Sequence, residues 1–135
     1  MERLVLPGFV NAHCHAFQRA LRGRAKGGDF WAWREAMLDL AQGLSLGDVR
    51  TSYVAVYQEL LDNGYTAVGE FHYLGLDTAL AAAEAAEETG IELVLLYAAY
   101  AVAPFAQPSV SAYLDDVERL RGRGLTVGVA PHSVR

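Results

Sequence analysis

The feature that most constrains this chain is a regular alternation of short apolar runs with longer amphipathic ones. Leu4 to Ala12 is apolar but broken by Pro7 and Gly8, which sets a lead-in and then a strand from about Phe9 to His13. A polar, glycine-rich stretch, Arg22 to Asp29, leads to Phe30 to Gln42, whose aromatic and leucine content predicts a helix. Val49, Tyr53, Val56, Tyr57 and Leu60 share one face on a 3.6-residue period, and Gly64 stops that helix. Tyr65 to Phe71 reads as a strand, Asp77 to Thr89 as an alanine-rich helix ending at Gly90, and Ile91 to Ala98 as the next strand. The last of these is apolar except at Glu92, a pattern that predicts burial on both faces in a parallel sheet. Beyond a loop from Pro104 to Pro108, Ser109 caps a helix with Tyr113, Val117 and Leu120 on one face, closed by Gly122 and Gly124. Leu125 to Ala130 is the fourth strand.

Strands alternating with helices predict right-handed βαβ units on one parallel sheet. The expected fold class is α/β, about four βα units with a parallel sheet, and the family resemblance carried by the motifs quoted below implies that they are the first part of a (β/α)8 TIM barrel. Residues 1–135 then form the N-terminal half of one barrel domain. A complete barrel takes about 250 residues, and this chain has 135. Four units alone leave open sheet edges and an exposed apolar face, a liability that a second copy or a complementary chain is one way to complete.

Composition narrows the class further. With 53% hydrophobic and 20% charged residues and a net charge of -5, the chain carries no signature of disorder. No basic patch points to nucleic acid. Apolar runs such as Leu93 to Ala103 fall short of the roughly 20 residues that span a bilayer, so no membrane role is expected. Cys14 is the only cysteine, which rules out an intramolecular disulfide and fits a cytoplasmic protein.

His13 and His15 lie two apart at the C-terminal end of the first strand. Side chains alternate along a strand, so both imidazoles face one way and Cys14 the other. Such a pair can chelate one divalent ion, and neutral imidazole suits zinc or iron. The strand's C-terminal end is also where parallel α/β folds keep their ligands. Two histidines packed or hydrogen-bonded at a strand end fit the spacing equally well.

The surrounding residues carry a resemblance. Pro7-Gly-Phe-Val-Asn-Ala-His-Cys-His15 resembles the first-strand signature of the amidohydrolase superfamily, and Ala16-Phe-Gln-Arg-Ala-Leu21 is similar to the formimidoylglutamate deiminases within it. Phe30 to Glu35, Gly64 to Tyr73 and Gly128 to Arg135 follow in that family's order. The resemblance implies a hydrolase that uses one divalent metal, zinc or iron, to convert N-formimidoyl-L-glutamate to N-formyl-L-glutamate and ammonia in histidine degradation. It places His13 and His15 on the metal and Gln18, Arg34, Tyr73, His132 and Arg135 on the small-molecule substrate. Arginine suits that work because its planar fork holds a carboxylate bidentately and stays charged. Read without the resemblance, Arg34 is a helix residue that pairs with Glu35 or Asp39, Arg135 is a terminal charge, Gln18 is a surface amide and Tyr73 is a packed ring. Glu70 and His72 share strand parity, pair with each other, and receive no catalytic role.

Two departures stand beside the likeness. Leu74-Gly75-Leu76 replaces a His-His pair typical of the deiminases, and Tyr97 to Pro104 lacks their histidine and glycine pattern. A deaminase of another small molecule is therefore the alternative, as is a noncatalytic half-barrel completed by oligomerisation. The family's proton-transfer residues, a third metal histidine and a metal aspartate belong to later strands. No catalytic residue is assigned within these 135 positions, and the isolated chain is expected to be inactive.

Overall fold

Every apolar run becomes a strand and every amphipathic run a helix in the computed structural model, which describes residues 3–24 and 28–132. The order is β1 (Phe9–Cys14), a short 3-10 helix (Ala16–Leu21), α1 (Phe30–Gly43), α2 (Leu46–Asp62), β2 (Tyr65–His72), α3 (Leu76–Thr89), β3 (Glu92–Tyr100), α4 (Val110–Gly122) and β4 (Thr126–His132). All strand pairs are parallel and the sheet runs β1-β2-β3-β4. Sequential parallel strands with intervening helices are the βαβ repeat of a barrel wall. The partial-barrel expectation is met.

Several element ends differ from the sequence reading by one or two residues, and other local features were not read from it. The residues after the histidine pair form a 3-10 helix rather than a plain connection. Helix α2 starts three residues before Val49, because Ser45 and Asp48 build a capping box that satisfies two otherwise orphaned amides. Strand β4 continues through Pro131, so His132 is its last residue rather than a residue beyond it. As the outermost strand, β4 tolerates a proline that offers no amide to the ladder.

The two faces of the sheet divide the chemistry. Leu95, Tyr97 and Val127 pack outward with Tyr113, Val117 and Leu120 of α4. On α2, Val49, Tyr53 and Tyr57, spaced four apart, are at most 1% exposed and cover β2. The concave face carries Phe71, Leu96, Tyr100, Gly128 and His132, which register places side by side across β2, β3 and β4. Gly69 also lies on β2, and a Cβ there would stand 2.8 Å from the Ala12 carbonyl oxygen. The irregular β1–β2 register between Asn11 and Cys14 depends on that close approach. Phe9 and Val10 on β1 and Val129 on β4 remain more than half exposed.

Candidate metal and substrate site

The parallel sheet puts every strand's C-terminal end on one rim, and the candidate residues gather there. His13 and His15 turn to the same side, with their Nε2 atoms 3.0 Å apart. The His15 Nδ1–H donates to the Phe71 carbonyl at 2.9 Å. A carbonyl only accepts, so Nδ1 holds the ring proton and His15 Nε2 presents a lone pair. Burial lowers the His15 pKa, the Phe71 carbonyl works against that shift, and the nearby His13 and His132 add to it. The ring is thus held neutral, the form that binds metals.

A tetrahedral zinc with bonds of about 2.05 Å separates two imidazole nitrogens by about 3.3 Å. The observed pair needs to open by only a few tenths of an ångström to fit. Among the described residues, no group of three His, Cys, Asp or Glu side chains could hold a metal. The pair therefore offers two ligands where catalytic zinc sites take three from protein.

Phe71 forms the floor between the pair and His132. Its ring centroid lies 5.4 Å from those of His13 and His15 and 5.8 Å from that of His132. His132 in turn stacks on Tyr100 at 4.3 Å. Arg34, on the second turn of α1, shares a cavity of about 440 Å³ with His132, Tyr100, Phe105 and Trp31. Arg34 forms no ion pair among the described residues, so the pairing with Glu35 or Asp39 is not seen. Its charge instead acts on the Tyr100 hydroxyl, favouring ionisation against the larger effect of burial.

Gln18 and Tyr73 meet each other. The Gln18 amide donates to the Tyr73 hydroxyl at 2.9 Å, and that hydroxyl points its own proton at the Met37 sulfur at 3.5 Å. Tyr73 is 6% exposed and its ring edge contacts His15. Both residues thus support the wall beside the histidine pair. Arg135 lies outside the described residues.

Behind the sheet, a buried polar cluster links β1, β2 and α2. Glu70 and His72 have the shared parity read from the sequence, but Tyr53 stands between them rather than a direct pairing. His72 Nε2 donates to the Gly75 carbonyl and Thr78 hydroxyl, so its Nδ1 accepts the Tyr53 proton at 2.9 Å. Burial drops the His72 pKa to about 4. Burial likewise lifts the Glu70 carboxyl to about 7, against the Ala16 amide and the neighbouring Cys14 thiol and Tyr53 hydroxyl. Desolvation, with the Glu70 charge beside it, pushes the Cys14 thiol well above its ordinary value. Strand parity was the only sequence signal for this cluster. Nothing in the spacing marked the Phe71 carbonyl, Tyr100 or Phe105 as neighbours of the site.

Residues 4–135 match the model of the amidohydrolase family. The chain belongs to that family. This amidohydrolase chain is 37% identical to the formimidoylglutamate deiminase of Pseudomonas aeruginosa over 168 aligned positions, which cover 99% of the chain and 37% of that protein. It is 31% identical to a 5-methylthioadenosine/S-adenosylhomocysteine deaminase of Desulfovibrio desulfuricans over 137 positions, covering 97% of the chain and 30% of that protein. Among solved structures, a zinc complex of an atrazine chlorohydrolase variant from Arthrobacter aurescens TC1 superposes with a TM-score of 0.84 at 21% identity, over 93% of this chain and 34% of that one. A zinc-containing adenosine deaminase from Xanthomonas campestris gives 0.74 at 21% identity, over 93% and 29%. The amidohydrolase chain thus spans about a third of the length of these two curated relatives. No helix among the described residues is long and apolar enough to cross a membrane.

Proposed function

We propose that this chain supplies part of the active site of a metal-dependent enzyme that hydrolyses N-formimidoyl-L-glutamate to N-formyl-L-glutamate and ammonia. The observation that carries the reading is the likeness to the Pseudomonas aeruginosa deiminase along 99% of the chain, together with two imidazole nitrogens converging at the rim. His13 and the neutral His15 ring would hold one divalent ion, zinc in the first instance. When bound, such an ion lowers the pKa of a water and polarises the carbon that the water attacks.

The remaining residues bind and orient. Arg34 grips one substrate carboxylate from α1, and Arg135 has the charge for a second. His132 faces the substrate from β4 with its ring set by Tyr100, and Gln18 with Tyr73 forms the wall beside His15. Glu70, whose pKa near 7 would suit proton transfer, sits on the opposite side of the sheet with no exposed surface. It is removed from that task. Proton transfer and the further metal ligands fall to residues outside this set, contributed by other parts of the protein, a second copy or a complementary chain. The setting of the reaction is cytoplasmic histidine degradation.

A second reading has an observation of its own. The deiminase alignment runs over 168 positions for a chain of 135 residues, whereas the Desulfovibrio alignment needs 137. The deiminase thus carries residues that this chain lacks. A deaminase of a methylthioadenosine-like substrate fits that economy. The whole protein, expressed from its complete coding sequence and assayed for ammonia, separates the two. Zinc-dependent release from N-formimidoyl-L-glutamate that exceeds release from 5-methylthioadenosine and S-adenosylhomocysteine supports the first reading, and the reverse order overturns it.

A further inference from the structure

Strand β2 grips the turn after the histidine pair from both of its faces. On the concave side, the Phe71 carbonyl takes the His15 Nδ1 proton. One residue earlier, Glu70 points through the sheet, and its Oε1 accepts the Ala16 amide at 2.9 Å. The two bonds hold consecutive residues, the ring of His15 and the peptide that follows it. That peptide plane carries His15 at φ -132° and ψ 76°, outside both helix and strand values.

The carboxylate is a costly group to keep there. Glu70 is 0% exposed, no cation pairs with it among the described residues, and beside the Ala16 amide it has the Cys14 thiol and Tyr53 hydroxyl for neighbours, with no hydrogen bond of normal geometry to its Oε2. The Tyr53 proton goes to His72. Removing such a group from water is unfavourable, and an apolar side chain of similar size packs at less cost. What an apolar side chain lacks is an acceptor for the Ala16 amide.

We propose that Glu70 is the positioning residue of the His13–His15 pair, locking the His15–Ala16 peptide from the far side of the sheet so that His15 Nε2 stays aimed at His13 Nε2. The metal consequence rests on the reading of the pair as a metal site; the effect on His15 geometry does not. Both are measured in the 135-residue chain, by long-range 1H–15N spectra of the His15 ring without metal and by zinc titration. Glu70→Gln keeps an acceptor oxygen and retains a single Nδ1–H tautomer, with zinc affinity within about threefold of the original. Glu70→Leu, folded by circular dichroism, averages between tautomers and binds zinc about ten- to a hundredfold more weakly, the usual effect of losing a group that orients a ligand. Tyr57→Phe removes the neighbouring buried hydroxyl and changes neither reading. Should Glu70→Leu not fold, Glu70→Met takes its place. A folded Leu or Met variant with the single tautomer and unchanged zinc affinity overturns the proposal, as does loss of both in Glu70→Gln. If the unaltered chain binds no zinc while Glu70→Leu still loses the single tautomer, the metal reading falls and the positioning role stands.

Discussion

The His15 imidazole and the Phe71 carbonyl, 56 positions apart in sequence, meet at 2.9 Å and decide which histidine nitrogen is available to an ion. With Nδ1 tied to β2, only Nε2 remains, and it faces His13. If the pair binds metal as proposed, zinc is expected to stabilise the folded chain. At a zinc concentration 100 times the dissociation constant, stability rises by about 2.7 kcal/mol. Thermal melts with and without zinc are expected to show the rise in the original chain, with little of it left in His13→Ala or His15→Ala. Equal zinc stabilisation of all three chains would count against the pair as ligands.

Gly69 governs how closely β1 approaches β2. Gly69→Ala places a methyl group 2.8 Å from the Ala12 carbonyl oxygen, against backbone rather than a flexible side chain. The expected cost is about 1–3 kcal/mol of stability, and His13, one residue beyond Ala12, moves with its strand. Urea unfolding and zinc titration of the same variant check both effects.

The Gln18–Tyr73 bond gives a smaller, separable effect. Tyr73→Phe removes the hydroxyl that accepts the Gln18 amide at 2.9 Å. Chemical denaturation is expected to show a loss of about 0.5–1.5 kcal/mol with an unchanged denaturant slope. A gain in stability would mean that the bond contributes nothing.

Two buried groups titrate in opposite directions. His72 falls from an unfolded value of 6.5 to about 4 in the folded chain. Its contribution is complete above 6.5 and is lost as pH falls toward 4, because only the unfolded state takes up the proton there. Glu70 rises from 4.5 to about 7, so its contribution is complete below 4.5 and is lost as pH rises toward 7. Each is worth about 3 kcal/mol across its window, and the windows overlap almost fully. The two contributions cancel in the original chain. In Glu70→Gln only the histidine term remains, and stability should climb by about 3 kcal/mol from pH 4 to 7. Denaturant midpoints measured across that range in the presence of a chelator test this, and parallel profiles for the two chains would refute it.

The capping box of α2 carries its own prediction. Ser45→Ala removes the oxygen that accepts the Asp48 amide, with an expected loss of about 0.5–2 kcal/mol in denaturation experiments. Because α2 supplies Tyr53 and Tyr57 to the cluster behind β1 and β2, the loss is global rather than confined to a fraying end.

Periodicity alone determined the strand and helix order, the buried faces of α2 and α4, and the opposed directions of His13 and Cys14, since these follow from backbone geometry repeated along a few residues. It also determined that Glu70 and His72 share a face. Local pattern does not encode distance between segments, and there the tertiary structure decided. Only the register of β1 against β2 brings Phe71 to His15 and Glu70 to Ala16, and only the docking of α1 over the strand ends brings Met37 to Tyr73 and Arg34 toward His132. Likewise, burial behind α2 separates the pKa values of His72 and Glu70 from their ordinary ranges, because desolvation depends on what the whole fold removes from water.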